Sequence, residues 1–275
     1  MRAATKARTG DVRRTFGDHA FTGLVTLIYA FLMFPIVLVI VLSLNSGEFL
    51  AFPLDGLSLR WFGTLLSNQR FIDAILYSAR IALISAVVDG VLGMLAALHV
   101  ARQGGAMRDI LRIAMTSPLL LPEILTAIAL LFFFYGIGLG TEYSIAIQIG
   151  HVVVAFPYVF LNVSSALFNF DRSQEEAARS LGAGPWMIFR RVTLPAIKPG
   201  LITGCLFAFV ISFDIFNISL LLKPIGANTL PLELFDYLRF NFDPTAAALA
   251  SLSIFVTFAS IFLIDRTVGL RSLRF

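Results

Sequence analysis

Three acidic side chains lie within long apolar stretches of this 275-residue sequence: Asp89, Glu123 and Asp214. An ionised side chain at membrane depth costs at least about 2.5 to 3.5 kcal/mol, so each is a candidate functional residue. If the three carboxylates converge, they form a pathway that attracts cations. Alternatively, each caps a broken helix or bonds a polar side chain of a neighbouring segment. Candidate partners of that kind are Arg80, Asn162 and Asn217.

The other reactive side chains predict neither a catalytic site nor a metal site. Cys205 is the only cysteine, which excludes an internal disulfide, a CxxC pair and a cysteine-built zinc site. His99 and His151 are far apart and have no third ligand, so we interpret both as packing residues. None of the three lysines follows a glycine, so the phosphate-binding GxxxxGK[ST] motif is absent. Any ATP hydrolysis therefore requires a separate subunit.

The elements that hold these residues are predicted to be membrane helices. The chain is 58% hydrophobic and 14% charged, against roughly 45 to 50% and about 25% in soluble domains. This composition argues against a soluble enzyme, and backbone exposed to lipid must be helical. The sequence predicts an all-α protein with one transmembrane domain over 1–275. Six stretches are long enough to span a membrane: 21–44, 75–100, 110–136, 144–168, 200–222 and 245–264.

Basic residues are unequally distributed between the loops, which predicts the orientation of the chain. Loops on the side of the N-terminus hold 16 Lys and Arg residues, against four on the opposite side. Loops rich in Lys and Arg stay in the cytoplasm. We therefore expect both termini to be cytoplasmic. The four outer basic residues are Arg60, Arg70, Lys223 and Arg239.

Two outer loops carry signals for short helices. In 56–62, GLSLRWF, apolar residues flank Arg60, as is typical of a segment at the level of the lipid headgroups. In the second loop, Thr229 is predicted to cap and Pro231 to open a helix that runs to about Arg239. We interpret both as packing or interfacial elements.

The fifth apolar stretch has two further features. Gly200 and Gly204 have GxxxG spacing, which predicts close helix packing near the inner end of the stretch. Asp214 lies eight residues from its outer end, which is roughly 12 Å deep at 1.5 Å per residue.

The cytoplasmic loop between the fourth and fifth stretches has the clearest helix signals. Ser173 and Glu176 have the spacing of a capping box, which predicts a helix start. Gly182 is predicted to end this helix, and Pro185 to open a second short helix that ends near Arg191. Apolar residues in the second helix would be exposed at the membrane face, so they need a partner.

This loop also carries a family resemblance. Glu176-Ala177-Ala178, then Gly182, then Val192-Thr193-Leu194-Pro195 resembles the EAA signature of permease subunits of binding-protein-dependent ABC importers. Val192 stands where that signature usually has Ile. The segments SLNSGEF, LLLPEIL, LPAIKPG, SFD and NTLPLELFDYLRFNFDP resemble the spermidine/putrescine-type branch.

The resemblance implies a type I ABC importer permease in the bacterial inner membrane, without a catalytic site or a bound cofactor of its own. Loop 171–199 is expected to dock into a groove of a cytoplasmic ATPase, which binds ATP and Mg. Glu176 would contact a basic residue there, and the small alanines would permit close approach. The implied coupling residues are Glu176, Ala177, Ala178, Gly182, Leu194 and Pro195.

The implied partners are two ATPase subunits, a second and paralogous permease subunit, an extracytoplasmic solute-binding protein and membrane lipid, with no nucleic acid. The implied solute is small, cationic and polyamine-like. Ile215 and Phe216 follow SFD, where the branch usually has another acid. A different small organic solute, such as an amino-acid derivative, an opine or a phosphonate, therefore stays open.

Two other interpretations stay open. The loop helices could rest on lipid headgroups as amphipathic helices. The three intramembrane acids would also suit a stand-alone, proton- or ion-coupled secondary transporter. Such transporters usually show internal repeats and more than six spans.

Overall fold

The computed structural model describes residues 16–268, and this part of the chain is helical, with one isolated bridge between Asn45 and Leu57 and no β-sheet. A π-helical turn, Phe189–Thr193, joins two of the α-helices. The α-helices are α1 Phe16–Ser43, α2 Arg60–Ser67, α3 Gln69–Arg102, α4 Gly105–Leu120, α5 Glu123–Gly136, α6 Ser144–Phe168, α7 Ser173–Ser180, α8 Pro185–Ile188, α9 Leu194–Asp214, α10 Asn217–Leu222, α11 Leu230–Leu238 and α12 Thr245–Val268. Seven of the basic residues that predict the orientation lie outside the described residues: Arg2, Lys6, Arg8, Arg13, Arg14, Arg271 and Arg274.

Five helices in the described range are long and apolar enough to cross a membrane: α1, α3, α6, α12 and the continuous helix from Pro185 to Asp214. Helices α4 and α5 add a sixth crossing only if they are taken together, because they are bent by 100°. The predicted fourth span coincides with α6, and the first, second and sixth correspond to α1, α3 and α12.

The predicted third span, 110–136, is wrong as one continuous helix. Helix α4 ends at Leu120, Leu121 is extended with ψ 138°, and α5 begins at Glu123. Pro122 has no N–H group to donate and disfavours helical backbone in the residue before it. Glu123 therefore stands in the first turn of a new helix and not within a continuous one.

The predicted fifth span, 200–222, is wrong at its start and in its continuity. The expected second loop helix is the base of this span, because helix continues from Pro185 to Asp214. Within it the Leu194 N–H donates to the carbonyl of Phe189, five residues back, and Pro195 follows with no N–H group to donate. Ile215 is extended with ψ 118° and separates α9 from α10, so Asp214 is the last residue of α9.

Helices α3, α6 and α9 form the centre of the bundle, and glycines let them approach closely. A Cβ atom on Gly200 would lie 2.7 Å from the Asn162 carbonyl oxygen. On Gly204 it would lie 2.8 Å from the Val159 Cα atom. Both neighbours are backbone atoms of α6, so the predicted close packing at these glycines is confirmed.

The two short helices α2 and α11 pack at one end of the bundle. Trp61 of α2 is buried, and its Nε1–H donates to the Asn45 carbonyl over 2.8 Å. The predicted capping by Thr229 is wrong, because its hydroxyl makes no hydrogen bond. The Leu230 N–H instead donates to the Ser78 hydroxyl of α3, over 2.7 Å. Both helices are thus packing elements, as predicted.

Candidate coupling segment and solute pathway

Helix α7 lies at the opposite end of the bundle and begins at Ser173, as predicted, but a different residue caps it. The Ser173 N–H donates to Asp171 Oδ1 over 2.9 Å, and its hydroxyl donates to Asp171 Oδ2 over 2.7 Å. These two bonds lower the pKa of the Asp171 carboxyl below its ordinary value. The predicted capping box with Glu176 is wrong, because Ser173 is already helical and its hydroxyl is used by Asp171.

Helix α7 ends at a Schellman motif built on Gly182. The Gly182 N–H donates to the Arg179 carbonyl over 2.9 Å, and the Ala183 N–H to the Ala178 carbonyl over 3.0 Å. Gly182 has φ +82°, a left-handed conformation that glycine adopts without steric cost. The prediction that Gly182 ends the helix is confirmed.

A side-chain bond that the sequence did not predict ties α7 to the base of the long helix. The Thr193 hydroxyl, in the π-helical turn, donates to Glu175 Oε1 over 2.5 Å. Thr193 is buried and Glu175 half-buried, so the contact is sheltered from water. The bond connects α7 directly to the base of the helix that continues to Asp214.

A second bond ties α7 to α3. The Arg172 guanidinium donates to the carbonyl of Ala101, in the last turn of α3, where carbonyls have no partner within the helix. A cleft of about 290 Å³ lies beside this contact, and Glu175, Glu176 and Arg179 of α7 line one side of it. The coupling segment, defined as residues 171–195, thus contacts the end of α3 and continues into α9.

The predicted coupling residues differ in their exposure. Glu176, Ala177, Gly182 and Pro195 are exposed, whereas Ala178 and Leu194 are half-buried. Large apolar side chains are exposed beside them: Leu181 retains 89% of its accessible surface and Trp186 retains 70%. An apolar surface that the isolated chain leaves exposed in this way marks a protein or membrane interaction site.

At the other sequence-predicted site, the structure brings together the breaks of the third and fifth spans. The Asn217 side-chain amide, in the first turn of α10, donates to Glu123 Oε2 over 3.3 Å. Asn217 was one of the predicted alternative partners of the intramembrane acids. The Glu123 side chain is nevertheless exposed in the isolated chain.

Asp214 lies two residues before Phe216 and is also exposed. It accepts a hydrogen bond from the Thr257 hydroxyl of α12, over 3.3 Å. Two carboxylates, on the edges of two helix breaks, are therefore accessible from outside the chain. Neither is held by a basic side chain within the described residues.

Asp89 has a different environment. It is 0% exposed within α3, and neither carboxylate oxygen has a hydrogen-bond partner among the described residues. The next residue, Gly90, packs against the Cys205 thiol of α9: a Cβ atom there would lie 2.8 Å from Sγ. The structure gives Asp89 no contact with Glu123 or Asp214.

His99 and His151 also differ in their surroundings. His99 is exposed near the end of α3 and is paired with half-buried Gln103 over 3.2 Å. His151 is buried between two serines, Ser212 of α9 and Ser219 of α10. Sequence reasoning treated both as packing residues and missed the polar network of His151, since its partners lie more than 60 residues further along the chain.

A helical bundle with broken spans and an exposed segment tied to them is the architecture of a membrane transport permease. Residues 90–271 match the family described as the inner membrane component of binding-protein-dependent transport systems. The chain belongs to this family, the permease subunits of binding-protein-dependent ABC importers, which confirms the resemblance seen in the sequence.

Several curated relatives are named for polyamine transport, and another, the molybdenum transport system permease protein ModB of Mycobacterium bovis, is 34% identical over 233 residues, covering 78% of this chain and 88% of the relative. The chain is 35% identical over 230 residues to the putrescine transport system permease protein PotI of Escherichia coli (strain K12), covering 82% of each chain. It is 30% identical over 240 residues to the spermidine/putrescine transport system permease protein PotC of Haemophilus influenzae, covering 86% of this chain and 91% of the relative.

A solved structure shows the same fold. A chain of the bacterial alginate ABC transporter, in complex with alginate pentasaccharide-bound periplasmic protein, superposes with a TM-score of 0.73. The match covers 96% of this chain and 97% of the other, at 16% sequence identity. At that identity the likeness shows the fold alone.

Proposed function

We propose that this chain is a permease subunit of an ATP-driven importer that moves a small, cationic, polyamine-like solute from an extracytoplasmic binding protein into the cytoplasm. One observation carries the proposal: the exposed carboxylates of Glu123 and Asp214 stand at the breaks of two spans. The hydrogen bond from Asn217 to Glu123 joins these two breaks. Carboxylates attract cations strongly where water is scarce.

The number of carboxylates suits a solute with two positive charges. The branch usually has a second acid just after Asp214, and this chain has Ile215 and Phe216 there. Glu123 supplies a second carboxylate from a different helix, and it is bonded to α10, which begins three residues after Asp214. The relatives PotI and PotC, named for putrescine and spermidine transport, support the same solute class.

The proposed topology has six spans, with both termini in the cytoplasm and the protein in the bacterial inner membrane. Helices α4 and α5 together make the third crossing, with their 100° bend at Pro122. Among the described residues, the bundle end with α7 carries Arg172, Arg179, Arg190, Arg191 and Lys198. A cytoplasmic position of α7 follows from this basic excess.

The coupling segment is proposed to dock on one of two cytoplasmic ATPase subunits, which bind ATP and Mg and perform the hydrolysis. The exposed Glu176 and Trp186 would be covered there, and Glu175 and Arg172 would pass the motion to the long helix and to α3. A second, paralogous permease subunit would complete the pathway that the isolated chain leaves open.

Uptake by the purified complex tests this function. The chain is reconstituted into liposomes with its permease, ATPase and binding-protein partners, and uptake of labelled putrescine is measured with and without ATP. We expect ATP-dependent uptake that excess spermidine inhibits and excess molybdate does not. Uptake driven by a proton gradient without ATP would favour the secondary transporter. ATP-dependent uptake of a neutral or anionic solute only would refute the cationic substrate.

A further inference from the structure

His151 joins the two halves of the broken fifth span. Its Nδ1 atom lies 2.8 Å from the Ser212 hydroxyl of α9, and its Nε2 atom lies 3.1 Å from the Ser219 hydroxyl of α10. All three side chains are at most 1% exposed. The extended residue Ile215 lies between the two serines in the sequence. One imidazole on α6 thus bridges the interruption of another helix.

One tautomer of the histidine satisfies all three side-chain contacts of this network. The Ser219 hydroxyl donates to the Ile215 carbonyl over 2.9 Å, and a hydroxyl has only one hydrogen to donate. Ser219 must therefore accept from the imidazole, so His151 carries its hydrogen on Nε2. Nδ1 is then an acceptor, and it receives the hydrogen of the Ser212 hydroxyl.

The resulting chain of bonds ends on the backbone carbonyl of Ile215, a buried residue at the helix break. It runs from Ser212 to His151, from His151 to Ser219, and from Ser219 to the carbonyl of Ile215. A buried carbonyl without a partner would destabilise this backbone conformation. The network therefore stabilises the break itself and not only the contact between helices.

The break determines the positions of the two carboxylates that are proposed to bind the solute. Asp214 ends α9 on one side of it, and Asn217, which holds Glu123, begins α10 on the other. A change in the angle between α9 and α10 would separate these two carboxylates. No other side chain of the described residues is hydrogen-bonded to both halves of the span.

We infer that His151 is a positioning residue for solute transport, which holds the break of the fifth span so that Asp214 and Glu123 face the same solute. The role of the two acids rests on the proposed function, whereas the bridge itself does not. A packing role would need only the volume of the imidazole. A positioning role needs one acceptor and one donor on the same side chain.

A cross-linking experiment tests the bridge without any solute. In a Cys205→Ala background, cysteines replace Glu123 and Asn217, and a short bis-maleimide reagent measures how often the two sites meet. His151→Leu, which keeps volume and removes both bonds, is expected to slow cross-linking about ten-fold, the effect of one to two lost hydrogen bonds. His151→Gln, which retains an acceptor and a donor, should react within about two-fold of the parent.

His99→Leu is the matched control, because that histidine is exposed and bonds only Gln103 in the structure, so the rate should stay unchanged. Ser219→Ala removes the last link and is expected to behave like His151→Leu. If His151→Leu prevents assembly of the complex, Ser219→Ala is the test variant in its place. Equal rates in the parent, His151→Leu and Ser219→Ala would overturn the inference, as would a His151→Gln variant as slow as His151→Leu.

Putrescine uptake by the reconstituted complex then tests the consequence for transport. We expect His151→Leu to raise the half-saturating concentration of putrescine with the amount of assembled complex unchanged, and His151→Gln to restore it. An unchanged half-saturating concentration in His151→Leu would overturn the positioning role. If the parent complex takes up no putrescine, the proposed solute fails, and the cross-linking rates alone decide on the bridge.

Discussion

Replacing Gly182 with alanine tests the coupling segment at a position where only backbone conformation changes. A Cβ atom there meets no atom within 4 Å, so alanine introduces no clash. The residue has φ +82°, and an L-residue in the left-handed region costs roughly 1 to 2 kcal/mol. That cost reduces the population with an intact Schellman motif by a factor of about 5 to 30.

The assay measures how much ATPase subunit co-purifies with the permease and how strongly solute-loaded binding protein stimulates ATP hydrolysis. Gly184→Ala is the matched control, because Gly184 also faces open space but has φ −71° and ψ 162°, which alanine adopts readily. Gly182→Asn should fall between the two, since asparagine tolerates the left-handed region better than alanine. We expect ATPase co-purification and stimulated ATP hydrolysis to decrease in the order parent, Gly184→Ala, Gly182→Asn, Gly182→Ala.

The reasoning is refuted if Gly182→Ala couples as well as Gly184→Ala. That result would mean either that the end of α7 rearranges at no cost or that α7 does not dock on the ATPase. An equal loss of stimulated ATP hydrolysis in both alanine variants would also contradict the proposed role of Gly182, because only Gly182→Ala introduces backbone strain.

Three further predictions concern the coupling surface, the orientation and the buried acid. Glu176→Lys should leave membrane insertion intact and abolish stimulated ATP hydrolysis through like-charge repulsion at the docking surface. Gln174→Lys, on the same exposed helix, is its control. Equal stimulated ATP hydrolysis by the two variants would refute the role of Glu176. A thiol label at Ser180 should react only from the cytoplasm and one at Asn228 only from outside; the opposite pattern would reverse the topology. Asp89→Ala removes a carboxylate that has no hydrogen-bond partner, so it should stabilise the complex by about 1 to 3 kcal/mol and keep uptake; a lower unfolding temperature or lost uptake would show that this acid gains a partner during transport.

The positions of the spans could be predicted from the sequence, but their breaks could not. Prolines show why: Pro35 and Pro157 lie inside helices that continue past them, whereas Pro122 stands where α4 and α5 separate. Membrane helices tolerate proline when neighbouring groups satisfy the freed backbone. The residue type alone therefore does not decide between a helix that continues and one that breaks.

The candidate site was predictable to the extent that it depends on local signals. Gly182 was identified as the end of α7 because a glycine after a helical pattern is a local signal. The contacts that connect the segment to the bundle are long-range: Thr193 to Glu175, and Arg172 to Ala101. No periodicity or spacing identifies such partners, because they depend on how the helices pack.

The same limit applies to the intramembrane acids. All three were candidates because an ionised side chain in an apolar membrane stretch is costly in free energy. The structure separates them into two exposed carboxylates at helix breaks and one buried carboxylate within α3. Only Glu123 has one of the partners that the sequence suggested, Asn217. The helix packing, and not the sequence pattern, determines which acids a solute can reach.

The most direct test of a cationic pathway is putrescine uptake by Asp214→Asn, measured beside partner co-purification in the same membranes. Asparagine keeps the size and the capacity to accept from Thr257 but removes the charge. We expect normal assembly with at least about five-fold weaker uptake, since attraction between unit charges 4 Å apart is about 1 to 4 kcal/mol. Asp109→Asn, an exposed acid in α4, should leave uptake unchanged. Normal uptake by Asp214→Asn would contradict the pathway, and loss of assembly would make Asp214 a structural residue.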